Sequence, residues 1–145
     1  MSARGIIFCL IFCLFGGCAS LQENGKKIWG SSISHLEEAR SEGQSEKVAL
    51  SLDESFTRTV KLLQEEGANV YLKSEDKRYV AAMNFKGHVD TTQAGIFFTK
   101  IEDHITLVEV ASMSPRLVNE IAFFLFPKFK ESAKLNKGEI DAKRN

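Results

Sequence analysis

The sequence predicts an α+β domain, a two-layer sandwich in the order helix, four-stranded antiparallel meander, helix, with both helices on one sheet face. Three observations carry this expectation. Residues 51–66 repeat apolar side chains at helical spacing behind an N-capping signal. Residues 68–111 switch to a two-residue alternation broken three times by short polar stretches. Residues 114–135 return to helical spacing behind Ser-Pro.

Taken in order, Ser51-Leu52-Asp53-Glu54 has the S-x-x-E form of a capping box, with Ser51 as N-cap. Leu52, Phe56, Val60 and Leu63 then form one stripe, and Gly67 is placed to close the helix in a left-handed conformation. Strands follow over 68–73, 78–86, 93–101 and 104–111. Val70 and Leu72 are expected on one face of the first. Tyr79, Ala81, Met83 and Phe85 are expected on one face of the second. Ser74–Lys77, Gly87–Thr92 and Glu102-Asp103 are the connections, short enough to join antiparallel neighbours. Apolar residues on both faces of the third and fourth strands mark these as central. Ser114 and Pro115 open the last helix at N-cap and N1. Its stripe is Leu117, Val118, Ile121 and Leu125, with Phe124 beside it. Pro127 lacks an N–H and clashes with the carbonyl of Phe123, so a kink or break is expected near Phe126, with the helix ending about Leu135. Residues 136–145 read as a frayed, disordered tail.

The first fifty residues have another character. Arg4 is followed by an uncharged run, Gly5–Gly17, rich in Ile, Leu, Phe and Cys. A basic start and a short apolar core are the marks of an export signal, and the run is shorter than the roughly 20 apolar residues of a transmembrane helix. Leu14-Phe15-Gly16-Gly17-Cys18 resembles the lipobox of bacterial lipoprotein precursors. Gly16, Gly17 and Cys18 match it, while Phe15 stands where Leu is usual. The resemblance implies cleavage before Cys18, diacylglyceryl attachment to Cys18 and a membrane-anchored protein of the cell envelope. In a diderm host, Ala19 after Cys18 implies outer-membrane sorting. The residues also admit plain secretion, with cleavage after Ala19 or Ser20, and an uncleaved anchor. Residues 1–17 thus read as a signal peptide and 18–50 as a lipid-anchored flexible tether, with a short helix near Ser34–Arg40. Trp29 in that tether suits either the lipid interface or packing on the domain.

Charge and cysteine content narrow the function. The chain has 19 basic and 19 acidic residues. Loss of residues 1–17 removes only Arg4, and a nearly neutral chain argues against nucleic acid as a partner. Cys9 and Cys13 fall in the signal, so Cys18 is the sole cysteine expected in the mature chain, and no disulfide is expected. His35, His88 and His104 show no metal-ligand spacing, and serine-nucleophile, phosphate-loop and dinucleotide motifs are missing. No catalytic residue, metal or cofactor is assigned, and the expectation is a protein that is not an enzyme.

Two features stand out as candidate sites. Glu109 interrupts an apolar strand, either as an inward carboxylate marking a ligand site or as an outward residue on the solvated sheet face or a partner for a lysine. Phe123-Phe124-Leu125-Phe126-Pro127-Lys128-Phe129 places four phenylalanines within seven residues, more than one helix face can bury. Core packing takes Phe124 and one other, and the surplus among Phe123, Phe126 and Phe129, with Lys128 and Lys130, is the candidate interaction patch for a partner, a lipid or self-association. The alternative for the same residues is a kinked core helix with a solvated basic tail. The functional expectation is an anchored envelope protein acting as a protein-interaction or support module, with another envelope protein as its partner. The competing expectation is a small-ligand or lipid carrier with a pocket between sheet and helices.

Overall fold

The computed structural model describes residues 32–144, with side chains over 32–134. The lipobox-like stretch, Cys18, Trp29 and the first part of the expected tether lie outside the described residues. The chain divides into two units, Met1–Ser34 and His35–Asn145. The second holds a five-stranded antiparallel sheet and its covering helices.

A helical segment over 32–38 (α1) runs into a 3₁₀ turn, Ala39–Glu42. Strand β1 follows at Gln44–Val48. Helix α2 spans Leu52–Glu65. Strands β2 (Asn69–Ser74), β3 (Tyr79–Met83), β4 (Ala94–Glu102) and β5 (Ile105–Ser112) come next, and helix α3 spans Pro115–Arg144. The spatial order is β1-β5-β4-β3-β2. The four-strand meander is present, with β3, β4 and β5 interior, and β1 adds a fifth strand from within the stretch read as tether. Its polar composition hid it: as an edge strand it buries one end, at Val48, and leaves Gln44, Ser45 and Lys47 in water.

Local chemistry explains the element ends. The Ser51 Oγ accepts from the Glu54 N–H at 3.3 Å, and the Glu54 carboxylate accepts from the Ser51 N–H at 3.1 Å. At the far end Gly67 sits at φ 81°, and Ala68 N–H reaches the Leu63 carbonyl at 2.9 Å. Asp103 and His104 form a two-residue turn between Glu102 and Ile105, which pair with each other. A register shift between Val70 and Leu72 corrects one expectation. Val70 pairs with Ala82 and Leu72 with Ala81, so the extra residue, Tyr71, puts Val70 and Leu72 on opposite faces.

Val80, Ala82, Ala94, Ile96, Phe98, Val108 and Val110 form one buried sheet face. Phe56 and Leu63 of α2 and Leu117, Ile121, Leu125 and Phe129 of α3 close over it. The opposite face is apolar too. Tyr79, Ala81, Phe97 and Ala111 are buried there, so the fold has a cover on each side of the sheet rather than one. Leu36 lies on this second face, where a Cβ at Gly95 would come within 3.3 Å of the Leu36 Cβ and 2.8 Å of the Phe97 ring. At Gly43, between the 3₁₀ turn and β1, a Cβ would fall on the carbonyl oxygen of Val110. Both glycines are there because the arm runs against the sheet at backbone distance.

Helix α3 neither breaks at Phe126 nor ends at Leu135. It runs through Pro127 to Arg144. Pro127 is on the exposed side of the helix, where water can replace the bond lost to the Phe123 carbonyl. Residues 128–144 contain no further proline and are rich in Lys, Glu and Ala, which favour helix.

Three substitutions test this packing by denaturant unfolding. Gly43→Ala should cost about 1–3 kcal/mol in denaturant unfolding, because backbone must shift. Gly87→Ala, which meets open space at φ 82°, should cost only the left-handed conformational penalty of about 1–2 kcal/mol. Pro127→Ala should stabilise the protein, by up to about 3 kcal/mol, by restoring the bond to the Phe123 carbonyl.

Candidate functional site

The antiparallel pairing brings the β3–β4 loop, the β5–α3 junction and the end of α2 to one end of the sheet. Ala94 pairs with Ser112, and the Ser112 Oγ donates to the Gln93 carbonyl at 2.6 Å while accepting from the Ser114 N–H at 3.1 Å. The loop is held at two points. Phe85 is buried in the core. The His88 side chain is only 7% exposed, and its Nε2 lies 2.6 Å from Glu120 of α3. The loop needs two left-handed residues to turn in, Asn84 at φ 61° and Gly87 at φ 82°.

Glu120 is shared between His88 and Arg116, with the Arg116 Nε donating to it at 2.8 Å. Hydrogen bonds from His88 and then Arg116 hold the Glu120 carboxyl below its ordinary value. Beside this cluster, Glu66, Lys86, Glu120 and Phe124 line a shallow groove of about 120 Å³ floored by Leu117 and Ile121. Val89 and Met113 stand exposed at the same end, at 71% and 76%. The other described grooves, about 130 Å³ at Leu52, Phe56 and Glu75 and about 290 Å³ along Asp53–Arg58, lie along α2.

Glu109 lies on the second sheet face and takes an ion pair and hydrogen bond from Arg40 of the arm. The Arg40 guanidinium sits 4.6 Å from the centre of the Phe97 ring, and the Tyr79 ring is 6.1 Å from Phe97. Burial, and then the neighbouring Glu37 carboxylate, raise the Tyr79 phenol. Glu109 does pair with a cation, but in place of the expected lysine it is Arg40 of the arm, and the sheet face it lies on is covered rather than solvated.

The aromatic stretch divides by helix face. Phe126 and Phe129 are in the core, and Phe124 is half-buried. The expected patch of Phe123, Phe126 and Phe129 therefore does not form. Positions 126 and 129 share the sheet-facing side of α3 with 122 and 125, and only Phe123 turns outward, 83% exposed. Lys128 faces Glu131 at 3.7 Å, and Lys130 reaches Glu46 of the edge strand β1 at 2.6 Å. The loop anchor at His88 was not legible beforehand, because its partner Glu120 is 32 residues away.

Among the described residues no group of three or more His, Cys, Asp or Glu is placed to hold a metal ion, and no helix is long and apolar enough to cross a membrane. No family model matches the chain, and comparison with curated proteins and with solved structures finds no match.

The Glu120 cluster sets a measurable pH dependence. A carboxyl whose folded value is lowered contributes stability that is present above its ordinary value and lost as pH falls through the lowered one. Carboxyl-carbon NMR should place the Glu120 midpoint below the ordinary carboxylate range. His88→Leu should move it upward, and adding Arg116→Gln should move it further; an unmoved midpoint would contradict the cluster. On the second face, Arg40→Ala should cost about 1–3 kcal/mol in urea unfolding by leaving Glu109 unpaired, with part recovered by Glu109→Gln.

Proposed function

We propose that this chain is a lipoprotein of the bacterial envelope, tied to its membrane through Cys18, whose domain serves as a protein-interaction or support module. The anchor rests on Leu14–Cys18 and on the polar Gln22–Lys27 stretch that ends the apolar run. The observation that carries the role of the domain is a filled core beside exposed apolar side chains at one end. Ile96, Val108, Ile121, Leu125 and Phe129 have no exposed surface, while Val89 and Met113 stand in water near the His88–Glu120–Arg116 cluster. Apolar and methionine side chains within a charged rim suit a protein partner.

A carrier would favour a deep pocket of roughly 300 Å³ or more. The grooves described here are open and shallow, including the largest of them, about 290 Å³ along Asp53, Glu54, Thr57 and Arg58. The interaction reading is therefore the better supported of the two. Outer-membrane placement in a diderm host is the corresponding proposal for location, resting on Ala19 after Cys18.

Mass spectrometry of the mature N-terminus tests the anchor. The expected product begins at acylated Cys18, and Cys18→Ala abolishes it. A soluble, unacylated wild-type chain beginning after Ala19 or Ser20 would sink the proposal. Photo-crosslinking from Val89 and Met113 in intact cells should then capture a discrete partner that the same probe at Thr99, on the opposite sheet face, does not.

A further inference from the structure

We infer that the outer face of α3 from Phe123 onward rests on the anionic headgroup layer of the bilayer that holds Cys18. The inference builds on the anchor reading and adds which face of the domain meets the lipid.

Position and charge carry it first. Phe123, Pro127, Lys130 and Lys134 recur at i, i+4, i+7 and i+11, so they share one side of α3, and all four are exposed. Phe123, at 83%, is the most exposed large apolar side chain described. An aromatic ring with a lysine on the same helix side is the arrangement of a surface-lying helix: the ring enters the interface and the Lys134 stem carries its charge to the phosphates, while Lys130, which reaches Glu46 of β1 at 2.6 Å, adds less. The charge is also segregated. From Phe123 to Arg144 the chain has six basic and three acidic residues, whereas residues 18–114 have eleven basic and fifteen acidic. A nearly neutral protein has its positive charge concentrated in this half-helix, and an anionic surface would orient it.

The backbone then separates lipid from a protein occupant. Pro127 has no N–H, so the Phe123 carbonyl lacks its helical partner on the outer side. Buried in a dry protein contact, that carbonyl would carry a desolvation cost. In the headgroup layer it keeps its water. A self-associating helix face would favour a residue with an N–H at 127; an interfacial one does not need it.

Reach is the third constraint. The arm is docked by Leu36 and Arg40, so only 16 residues lie between Cys18 and His35. Even fully extended they span at most about 60 Å. An anchored domain therefore stays within that distance of the headgroups, and a contact too weak to hold a free protein becomes effective through high local concentration.

The test uses the full chain, purified from membranes of an expressing bacterium and reconstituted into vesicles. It carries Trp29→Phe and Phe123→Trp, so that one indole reports on the face. In phosphatidylglycerol–phosphatidylcholine vesicles its emission should shift to the blue. Shallow acyl-brominated lipid should quench it several-fold more than the indole of Trp29→Phe with Thr99→Trp. In pure phosphatidylcholine the quenching should fall. Equal quenching at the two positions, or none at 123, overturns the inference. So does a blue shift that needs no lipid and grows with protein concentration, which would assign the face to a second copy. Flotation of wild type against Cys18→Ala reads the anchor separately. A chain that floats through Cys18 without quenching at 123 keeps the anchor and loses the face; loss of the Cys18 dependence with quenching intact does the reverse.

Discussion

A sheet whose central strands carry apolar side chains on both faces needs a cover on each side, and this requirement organises the domain. On one face α2 and α3 bury Ile96, Phe98, Val108 and Val110. On the other, Tyr79, Ala81, Phe97 and Ala111 are buried, and the arm carrying Leu36 and Arg40 lies against them. The arm can approach so closely only because positions 43 and 95 lack side chains. It then turns directly into β1, so covering the second face and adding the fifth strand are one structural event. Any membrane tether is shortened by the same event, because the docked part of the chain begins well before Ser51.

Polar groups in this fold act mainly as locks between elements distant in sequence. Arg40 and Glu109 are 69 residues apart and hold the arm to β5. His88 and Glu120 are 32 apart and hold the β3–β4 loop to α3. The buried Thr106 Oγ1 donates to the Leu50 carbonyl at 3.0 Å and holds the entry to α2. Each closes a contact that the apolar core alone would leave free to slide. Together they leave Val89, Met113 and Phe123 exposed, and those three side chains give the functional proposals their geometry.

Local signals were read from the chain with good success where the cause is itself local. The capping box of α2, its glycine stop and the Ser-Pro start of α3 depend on neighbours within four residues, the β4–β5 turn lies one residue later than the expected Glu102-Asp103, and the four strands of the meander came from simple alternation. Strand β1 failed that test. Gln44-Ser45-Glu46-Lys47-Val48 has no apolar alternation because edge position, not a buried face, makes it a strand. Helix α3 failed it differently. Pro127 costs the helix a bond and crowds the Phe123 carbonyl wherever it lies, but on the exposed side the helix continues past it, and which side of the helix meets water is a tertiary matter. The same matter divided Phe123 from Phe126 and Phe129, which composition alone had grouped together.

What the sequence by itself determined is the register of chemistry along the chain: an α+β order, the helix caps and the central strands. These follow from periodicity and from bonds within one turn. The tertiary structure alone decided that a fifth strand joins the sheet, that a second face exists and is covered, that Glu109 meets Arg40 and that Glu120 meets His88. It also decided that one phenylalanine of four turns outward. Those outcomes depend on which surfaces exclude water from each other, a property of residues brought together from 30 to 70 positions apart and written in no single stretch of the chain.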